Sequence, residues 1–326
     1  MSEIKPSKLH AIMISLPYQG HINPFVNLAL KIASKGFTIT FVHLEFIHLR
    51  LSKAHHNNHT DVDLFSEARK SGLDIRYTTI GDDFPLEFDR DLNFPEYWNY
   101  LFHKFSVRVD EFVAKTIQSH PGSVHFLVTD TVYAWPAKIA DKYKLVNAVF
   151  WTEPAFIFAL AYHWDVIREK GHSPLKDNME VEIDYVPGVE SISTKDLMSY
   201  ITDGESIVAE GLFAAFMDAK KADFILLNTV QELEPNTVSA LNKYQPNYAI
   251  GPVNFFKNPT ANTVSKSFWP ESDCADWLCS KPARSVLYVS FGSLVQTSKQ
   301  IIEEIAYGLL LSEVNFYVGC SIKHRR

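Results

Sequence analysis

Two side chains able to move a proton stand where predicted strands end. They are His21, in the segment 17–24, and Asp130, directly after the predicted strand 124–129. An imidazole with a pKa near neutrality is the usual group for taking a proton from a hydroxyl. A carboxylate beside it can hold the imidazole in the useful tautomer and stabilise the imidazolium that forms. Because ligands of open α/β sheets bind beyond the carboxyl ends of the strands, both residues are placed to face one crevice.

Each of these residues also has an ordinary structural explanation. His21 could be a loop histidine that bonds a backbone carbonyl, which is the commoner case for any single histidine. Asp130 could cap the helix that follows it. No G-x-S-x-G segment supplies a serine nucleophile, so a hydrolase built on this pair would lack its third member. Spacing alone does not choose between these interpretations.

Other chemistries find less support. The turn after the first strand lacks G-x-G-x-x-G, and no Walker A segment occurs, which argues against nicotinamide oxidoreductases and P-loop kinases. The cysteines, Cys274, Cys279 and Cys320, have no C-x-x-C spacing, so neither a disulfide framework nor a zinc site is encoded. The sequence therefore predicts no metal site.

The composition is that of an ordinary soluble globular protein. The 326 residues carry a net charge of −7, from 31 basic and 38 acidic side chains, without a clustered basic stripe. Nucleic acid is therefore not an expected partner. The apolar stretches, such as 155–162, are shorter than the roughly 20 residues of a membrane helix, and the first residues lack a signal-peptide pattern. We expect a cytoplasmic protein that acts on small molecules and has no membrane partner.

The strands and helices that position His21 and Asp130 are predicted from the spacing of apolar residues. Short apolar runs alternate with stretches in which apolar residues recur with helical spacing. This pattern predicts βα units around a mainly parallel sheet. The first unit is a strand at 10–16, a helix at 24–35 with Asn23 as its N-cap, and a strand at 38–44. Residues 45–94 are predicted as a surface excursion with one strand at 73–79. Further helices are predicted at 97–118, 132–143, 155–169, 206–221 and 230–242, and further strands at 124–129, 148–151 and 224–227.

The chain divides into two α/β parts. Residues 1–250 are predicted to form a complete first domain, and 251–270, rich in Asn, Pro, Ser and Thr, a linker. Within 271–326 we predict a helix at 272–279, a strand at 286–291, a helix at 299–311 and a strand at 315–318. A single βαβ unit lacks the three or more strands that independent stability requires. We therefore predict an incomplete second domain whose apolar face and unpaired edge favour self-association.

Five segments, in order, resemble the plant-type UDP-sugar-dependent glycosyltransferases of family 1. They are 17–24 (PYQGHINP), 150–154 (FWTEP), 227–234 (LNTVQELE), 251–253 (GPV) and 285–293 (SVLYVSFGS). Members of this family are inverting enzymes with two facing Rossmann-like domains, the GT-B fold. The resemblance covers nearly the whole chain, and it implies an acceptor-binding first domain and a partial donor-binding second domain.

The same resemblance implies roles for individual residues. His21 matches the catalytic base that deprotonates an acceptor hydroxyl, and Asp130 matches the acidic residue paired with it. Gly292 and Ser293 match positions beside the donor phosphates. The implied acceptor is a small lipophilic molecule such as a flavonoid or another phenolic. The residues expected to contact it are Tyr18, Gln19, Trp135, Trp151 and Glu153.

The implied reaction is a single in-line displacement at the anomeric carbon of a UDP-sugar, with UDP-glucose as the expected donor and no cofactor. However, the sequence leaves the family pattern after about Phe316, and the donor-binding box is absent. The pyrophosphate would then lack the helix N-terminus and backbone amides that neutralise it. We therefore expect little or no transferase activity from these 326 residues, as from a truncated or alternatively spliced product. The alternative is a non-catalytic module that holds a lipophilic ligand or a partner.

Overall fold

The computed structural model describes residues 8–54, 63–175, 180–253, 274–292 and 298–319. The strands are β1 (Leu9–Ile14), β2 (Thr38–Leu44), β3 (Ile75–Ile80), β4 (Val124–Asp130), β5 (Val146–Trp151), β6 (Glu182–Ile183), β7 (Ile192–Ser193), β8 (Phe224–Leu227), β9 (Asn247–Ala249), β10 (Val286–Ser290) and β11 (Asn315–Gly319). The helices are α1 (Gln19–Ala33), α2 (Glu45–Ala54), α3 (Ser66–Lys70), α4 (Phe94–His103), α5 (Phe105–Gln118), α6 (Pro136–Tyr143), α7 (Ala155–Tyr162), α8 (Trp164–Glu169), α9 (Ser199–Asp203), α10 (Ile207–Ala219), α11 (Pro235–Leu241), α12 (Ala275–Cys279) and α13 (Lys299–Leu311).

A seven-stranded parallel sheet organises residues 9–249, as the sequence predicts for an α/β fold. The strand order is β3-β2-β1-β4-β5-β8-β9, and every adjacent pair is parallel. The chain runs outward from β1 to β3 and then returns to place β4 on the other side of β1. The order of strands therefore reverses between β1 and β4, where Ile14 lies opposite Thr129. In sheets of this kind the ligand crevice opens at such a reversal, beyond the carboxyl ends of the strands.

Both faces of the sheet are covered, as the burial of its central strands shows. All seven residues of β2 and five of the six in β1 are buried. Helix α1 packs on the sheet through Ile22, Phe25, Val26 and Ala29, each at 0% exposure. Burying an aliphatic or aromatic side chain of this size contributes about 1.5–3 kcal/mol, so this face anchors α1 firmly beside β1.

Three predicted elements, 38–44, 224–227 and 299–311, have the bounds of β2, β8 and α13. Several other helix bounds were wrong. The predicted helix 97–118 is two helices that divide at Lys104, and 155–169 is two helices that divide at His163. The helices predicted at 132–143 and 230–242 begin only at Pro136 and Pro235. Proline fixes the first helical residue and disfavours helical backbone in the residue before it.

The segment predicted as a surface excursion contains buried structure. Helix α2 buries Phe46, Ile47 and Leu51 in the core. After β3, Asp82 and Arg90 form a buried ion pair, with two hydrogen bonds of 2.7 and 2.8 Å. The arginine also lies over the ring of Phe46, 4.1 Å from its centroid. These contacts hold 82–90 against the body of the sheet, so this segment is part of the fold.

Residues 274–319 contain α12, β10, α13 and β11, with β10 and β11 paired in parallel. Their described side chains are largely exposed; Tyr288, Leu310 and Leu311 have 65%, 64% and 84% of their surface in contact with solvent. The predicted linker lies outside the described residues from 254 onward. Self-association through this unit and the predicted domain limits stay predictions.

Candidate active site

Helix α1 carries His21 in its first turn. The prediction that this histidine lies in a turn, with Asn23 as N-cap, was wrong, because the carbonyl of Tyr18 already accepts the N–H groups of His21 (2.9 Å) and Ile22 (2.8 Å). Pro24 therefore sits inside the helix, where it gives up one intrahelical hydrogen bond. The result is an imidazole held by a helix that the core anchors.

His21 and Asp130 meet at the reversal of strand order. The Nδ1–H of His21 donates to Oδ2 of Asp130 over 2.7 Å, and the carboxylate is 1% exposed while the imidazole is 17% exposed. A carboxylate only accepts, so it fixes the proton on Nδ1 and leaves Nε2 as the basic nitrogen. Among the described residues, hydrogen bonds engage only Nδ1 of this ring.

The carboxylate of Asp130 is itself held in place. Its Oδ1 accepts the N–H of Val132 at 3.1 Å, and the hydroxyl of nearby Tyr133 donates to the carbonyl of Ser15 at 3.0 Å. The first bond lies within the exit of β4, and the second joins that exit to the exit of β1. Asp130 does not cap the following helix, which begins only at Pro136; its carboxylate holds the turn at Val132 and orients the imidazole.

The loop after β5 completes the surroundings of His21. Thr152 Oγ1 lies 3.4 Å from Nδ1 of the imidazole, and Glu153 follows it on the chain. Burial would lower the pKa of His21, but the charge of Asp130, its hydrogen bond and the charge of Glu153 together raise that pKa. The pKa of Glu153 is itself raised, by partial removal from water and by repulsion from Asp130, against attraction by His21. The site therefore favours an imidazole that holds a proton tightly once it has taken one.

An aromatic cluster adjoins the start of α1. The indole N–H of Trp98 donates to the hydroxyl of Tyr18 at 2.9 Å, and their rings stack with centroids 6.0 Å apart. Phe94 also packs against Trp98, at 5.0 Å between centroids. Burial raises the pKa of the Tyr18 hydroxyl, so this group stays a neutral hydrogen-bonding partner. Tyr18 and Phe94 keep partly exposed surface, and Tyr18 stands three residues before His21 on the chain.

Two of the residues expected to contact an acceptor lie in the core instead. Trp135 is 4% exposed and donates to the carbonyl of Leu101; Trp151 is 2% exposed and donates to the carbonyl of Pro154. Both indoles pack among other aromatic rings, so a ligand would reach them only by displacing their neighbours. In the described structure both indoles have a packing role, and their contact with an acceptor stays a prediction.

The remaining predicted site residues are spread over both parts of the chain. Gln19 is the first residue of α1, two positions before His21, and is partly exposed. Gly292 follows β10 with a φ of +74°, a left-handed conformation that suits glycine. Ser293 lies outside the described residues. In the described part of the chain, no group of three or more His, Cys, Asp or Glu side chains is arranged to hold a metal ion.

Comparison with known proteins places this geometry in a family. The family model for the glycosyltransferase N-terminal domain matches residues 7–255. The chain belongs to the plant UDP-glycosyltransferases of family 1. Among curated relatives, it is 50% identical over 323 residues to UDP-glycosyltransferase 86A1 of Arabidopsis thaliana, a match that covers 97% of this chain and 65% of the relative. It is also 33% identical to the 7-deoxyloganetin glucosyltransferase of Gardenia jasminoides, with 95% and 67% of the two chains covered.

A likeness to solved structures confirms the GT-B type of fold for this chain. The UDP-glucose:anthocyanidin 3-O-glucosyltransferase, crystallised with UDP, superposes with a TM-score of 0.75 at 21% identity, over 97% of this chain and 68% of that one. This family member spans about two thirds of the length of the relatives that it matches. Its described ranges include no helix long and apolar enough to cross a bilayer.

Sequence reasoning missed two residues, one in contact with His21 and one in contact with Tyr18 at the start of α1. Thr152 stands inside the FWTEP segment, but nothing in the residue type assigns it to the imidazole 131 positions earlier. Trp98 was predicted only as part of a long helix. In both cases the pairing depends on which side chains the strands and helices bring together in three dimensions, and the linear pattern does not encode it.

Proposed function

We propose that this chain is the acceptor-binding part of a sugar transferase, in which His21 takes the proton of an acceptor hydroxyl. The supporting observation is the 2.7 Å hydrogen bond between His21 Nδ1 and a nearly fully buried Asp130, at the strand-order reversal. It leaves the basic Nε2 of a fixed imidazole as the nitrogen to meet a substrate.

The chemistry is one displacement. As the acceptor O–H gives its proton to Nε2 of His21, its oxygen forms a bond to the anomeric carbon of a UDP-sugar. The bond from that carbon to the diphosphate oxygen breaks, and UDP leaves with the electron pair, so the configuration inverts. Asp130 stabilises the imidazolium that forms, which is the direction in which it shifts the pKa of His21.

The acceptor proposed for this site is a small, largely apolar molecule with a hydroxyl, such as a flavonoid or another phenolic. The partly exposed rings of Tyr18 and Phe94, both packed against the buried Trp98, offer apolar ring surface and a neutral phenol close in sequence to His21. Aromatic surfaces of this kind bury planar ligands, while a few polar groups orient them. Gln19 and Glu153 are the polar groups that we propose for this orientation.

On the donor side, we propose UDP-glucose, with Gly292 and Ser293 near its phosphates and no further cofactor. We also expect the 326-residue chain, assayed by itself, to turn over slowly or not at all. Calorimetric titration with UDP tests this expectation, since weak or undetectable binding is predicted. Tight UDP binding would contradict it.

Acceptor binding is tested by NMR on histidine-labelled protein with a panel of phenolics. A binding acceptor is expected to shift the imidazole resonances of His21 and to leave those of His125, near the amino end of β4, in place. Any transfer from UDP-glucose to the same acceptor should disappear in His21→Ala and persist in His125→Ala. If no acceptor perturbs His21, or if His21→Ala retains the parent rate, the proposed function is wrong.

A further inference from the structure

The loop that touches His21 is held by a carboxylate from a distant part of the chain. Glu234 accepts the N–H of Ala155 at 2.9 Å through Oε2 and the N–H of Phe156 at 2.7 Å through Oε1. The hydroxyl of Thr229 donates to the same Oε2. The first two donors are the opening residues of α7, and only residues 152–154 separate that helix from the end of β5.

Helix α7 has no cap of its own. Its N-cap position is Pro154, whose side chain can accept no hydrogen bond, and its sequence AFIFALAY is apolar almost throughout. The first N–H groups of a helix need an acceptor, and the positive end of the helix dipole favours a negative one. Glu234, 79 residues after Ala155, supplies both with a single side chain.

The short loop between β5 and α7 is therefore fixed at both ends. At its start, the main chain belongs to β5 of the sheet. At its end, Glu234 holds the first N–H groups of α7, and the indole of Trp151 donates to the carbonyl of Pro154 at 2.9 Å. Only Thr152 and Glu153 lie between, and these are the two residues of this loop that act on His21.

The carboxylate of Glu234 is also anchored from its own side. Helix α11 begins at the next residue, Pro235, and Thr229 is 9% exposed. The chain after β9 closes over this segment, since Gly251 N–H donates to the carbonyl of Thr229 at 2.9 Å. A Cβ at Gly251 would lie 2.6–2.9 Å from the backbone of residues 228 and 229, so the two segments are in tight contact.

We propose that Glu234 is a positioning residue: by capping α7 it sets the place of Thr152 and Glu153 relative to the imidazole of His21. This inference rests on the proposed function for the meaning of His21 as the base. It assigns to the LNTVQELE segment a task at the site, although none of its side chains is expected to touch a substrate.

The test compares the titration of His21 in the parent protein and in Glu234→Gln. An amide in place of the carboxylate offers one accepting oxygen to three donors and turns its own N–H₂ toward one of them. Because Glu153 contributes to the raised pKa of His21, a loosened loop is expected to move the titration of His21 to lower pH. The readout is NMR of histidine-labelled 326-residue chain, with the His21 resonance identified by its loss in His21→Ala.

Ser206→Ala is the matched control. Ser206 caps α10 by accepting the N–H of Ala209 at 3.2 Å, so its loss also removes a helix cap but leaves the 152–154 loop untouched. The parent titration of His21 is expected in this variant, even though it unfolds at a lower temperature. If Glu234→Gln leaves the titration unchanged, or if Ser206→Ala shifts it equally, the positioning role is wrong.

Thr229→Val is the second variant, for the case in which Glu234→Gln does not fold. It removes one donor to the carboxylate and keeps the shape of the side chain, so a smaller shift in the same direction is expected, and no shift would count against the proposal. The titration of His21 in these variants is measured without an acceptor, so its outcome does not depend on acceptor binding. A chain that binds no acceptor disproves the proposed function, while the His21 titrations still decide the role of Glu234.

Discussion

Acid is expected to destabilise this protein through His43, a buried histidine of β2. Its side chain is packed edge-on against the ring of Phe41, at 5.0 Å between centroids, and its exposure is 3%. Its Nδ1 lies 3.3 Å from the hydroxyl of Tyr77, and its Nε2 is buried without a hydrogen-bond partner among the described residues. Burial, with repulsion from His48, lowers the pKa of His43 from 6.5 to about 3.

The direction of the change in stability with pH depends on which state of the chain, folded or unfolded, binds the proton more readily. Below pH 6.5 the unfolded chain binds a proton at His43, whereas the folded chain binds it only near pH 3. Protonation therefore favours the unfolded state, and the stability that is present above pH 6.5 is lost as the pH falls. Between pH 7 and pH 5 this amounts to about 2 kcal/mol of unfolding free energy. The result is insensitive to the folded pKa, because any value of about 4 or below keeps His43 neutral at pH 5.

Urea unfolding followed by tryptophan fluorescence, at pH 7 and pH 5, measures this loss in the parent and in His43→Leu. Leucine cannot titrate, so the variant should lose about 2 kcal/mol less than the parent over the same interval. His10, whose pKa burial also lowers to about 3, is present in both proteins and cancels in the comparison. An equal loss in the two proteins would refute the assignment of the acid sensitivity to His43.

Three further outcomes are expected. Asp130→Asn should lower the pKa of His21, because the negative charge and the strong hydrogen bond that raise it are both weakened; an unchanged NMR titration would show that Asp130 does not tune the base. Arg90→Met should cost about 3–5 kcal/mol in urea unfolding, since it leaves the buried carboxylate of its ion pair uncompensated, and a loss below 1 kcal/mol would place that pair in the class of weak surface bridges. Gly211→Ala should cost about 1–3 kcal/mol, because a Cβ there would overlap the ring of Phe102; a urea midpoint equal to that of the parent would mean that the ring moves freely.

The His21 and Asp130 pair could be predicted because it needs only two facts, both visible in the sequence. Each residue follows a short apolar run, and parallel strands bring their carboxyl ends to one edge of a sheet. The register of β1 against β4, with Ile14 opposite Thr129, then brings the two side chains together. The family segments, read in order, added the roles.

The residues that could not be predicted are those whose role depends on packing. Trp135 and Trp151 stand near strand ends, where an aromatic residue can line a crevice or fill the core, and only the packed structure shows that both fill the core. Glu234 lies inside the helix predicted at 230–242, yet in the structure it precedes α11 and its carboxylate caps a different helix, α7. The start of α1 was predicted at Pro24 because proline is common as the first residue of a helix. In the structure α1 begins five residues earlier, at Gln19, and Pro24 lies inside it.

His21 and Asp130 lie 109 positions apart on the chain, and this distance determines when the two side chains can meet during folding. A pair so distant along the chain is among the contacts whose loop closure is slow. While β1, α1 and β2 emerge from the ribosome, the imidazole has no carboxylate to orient it, and it gains one only when β4 inserts beside β1. A nascent chain shorter than about 130 residues therefore presents an ordinary histidine, and the imidazole becomes oriented in the same docking step that builds the middle of the sheet.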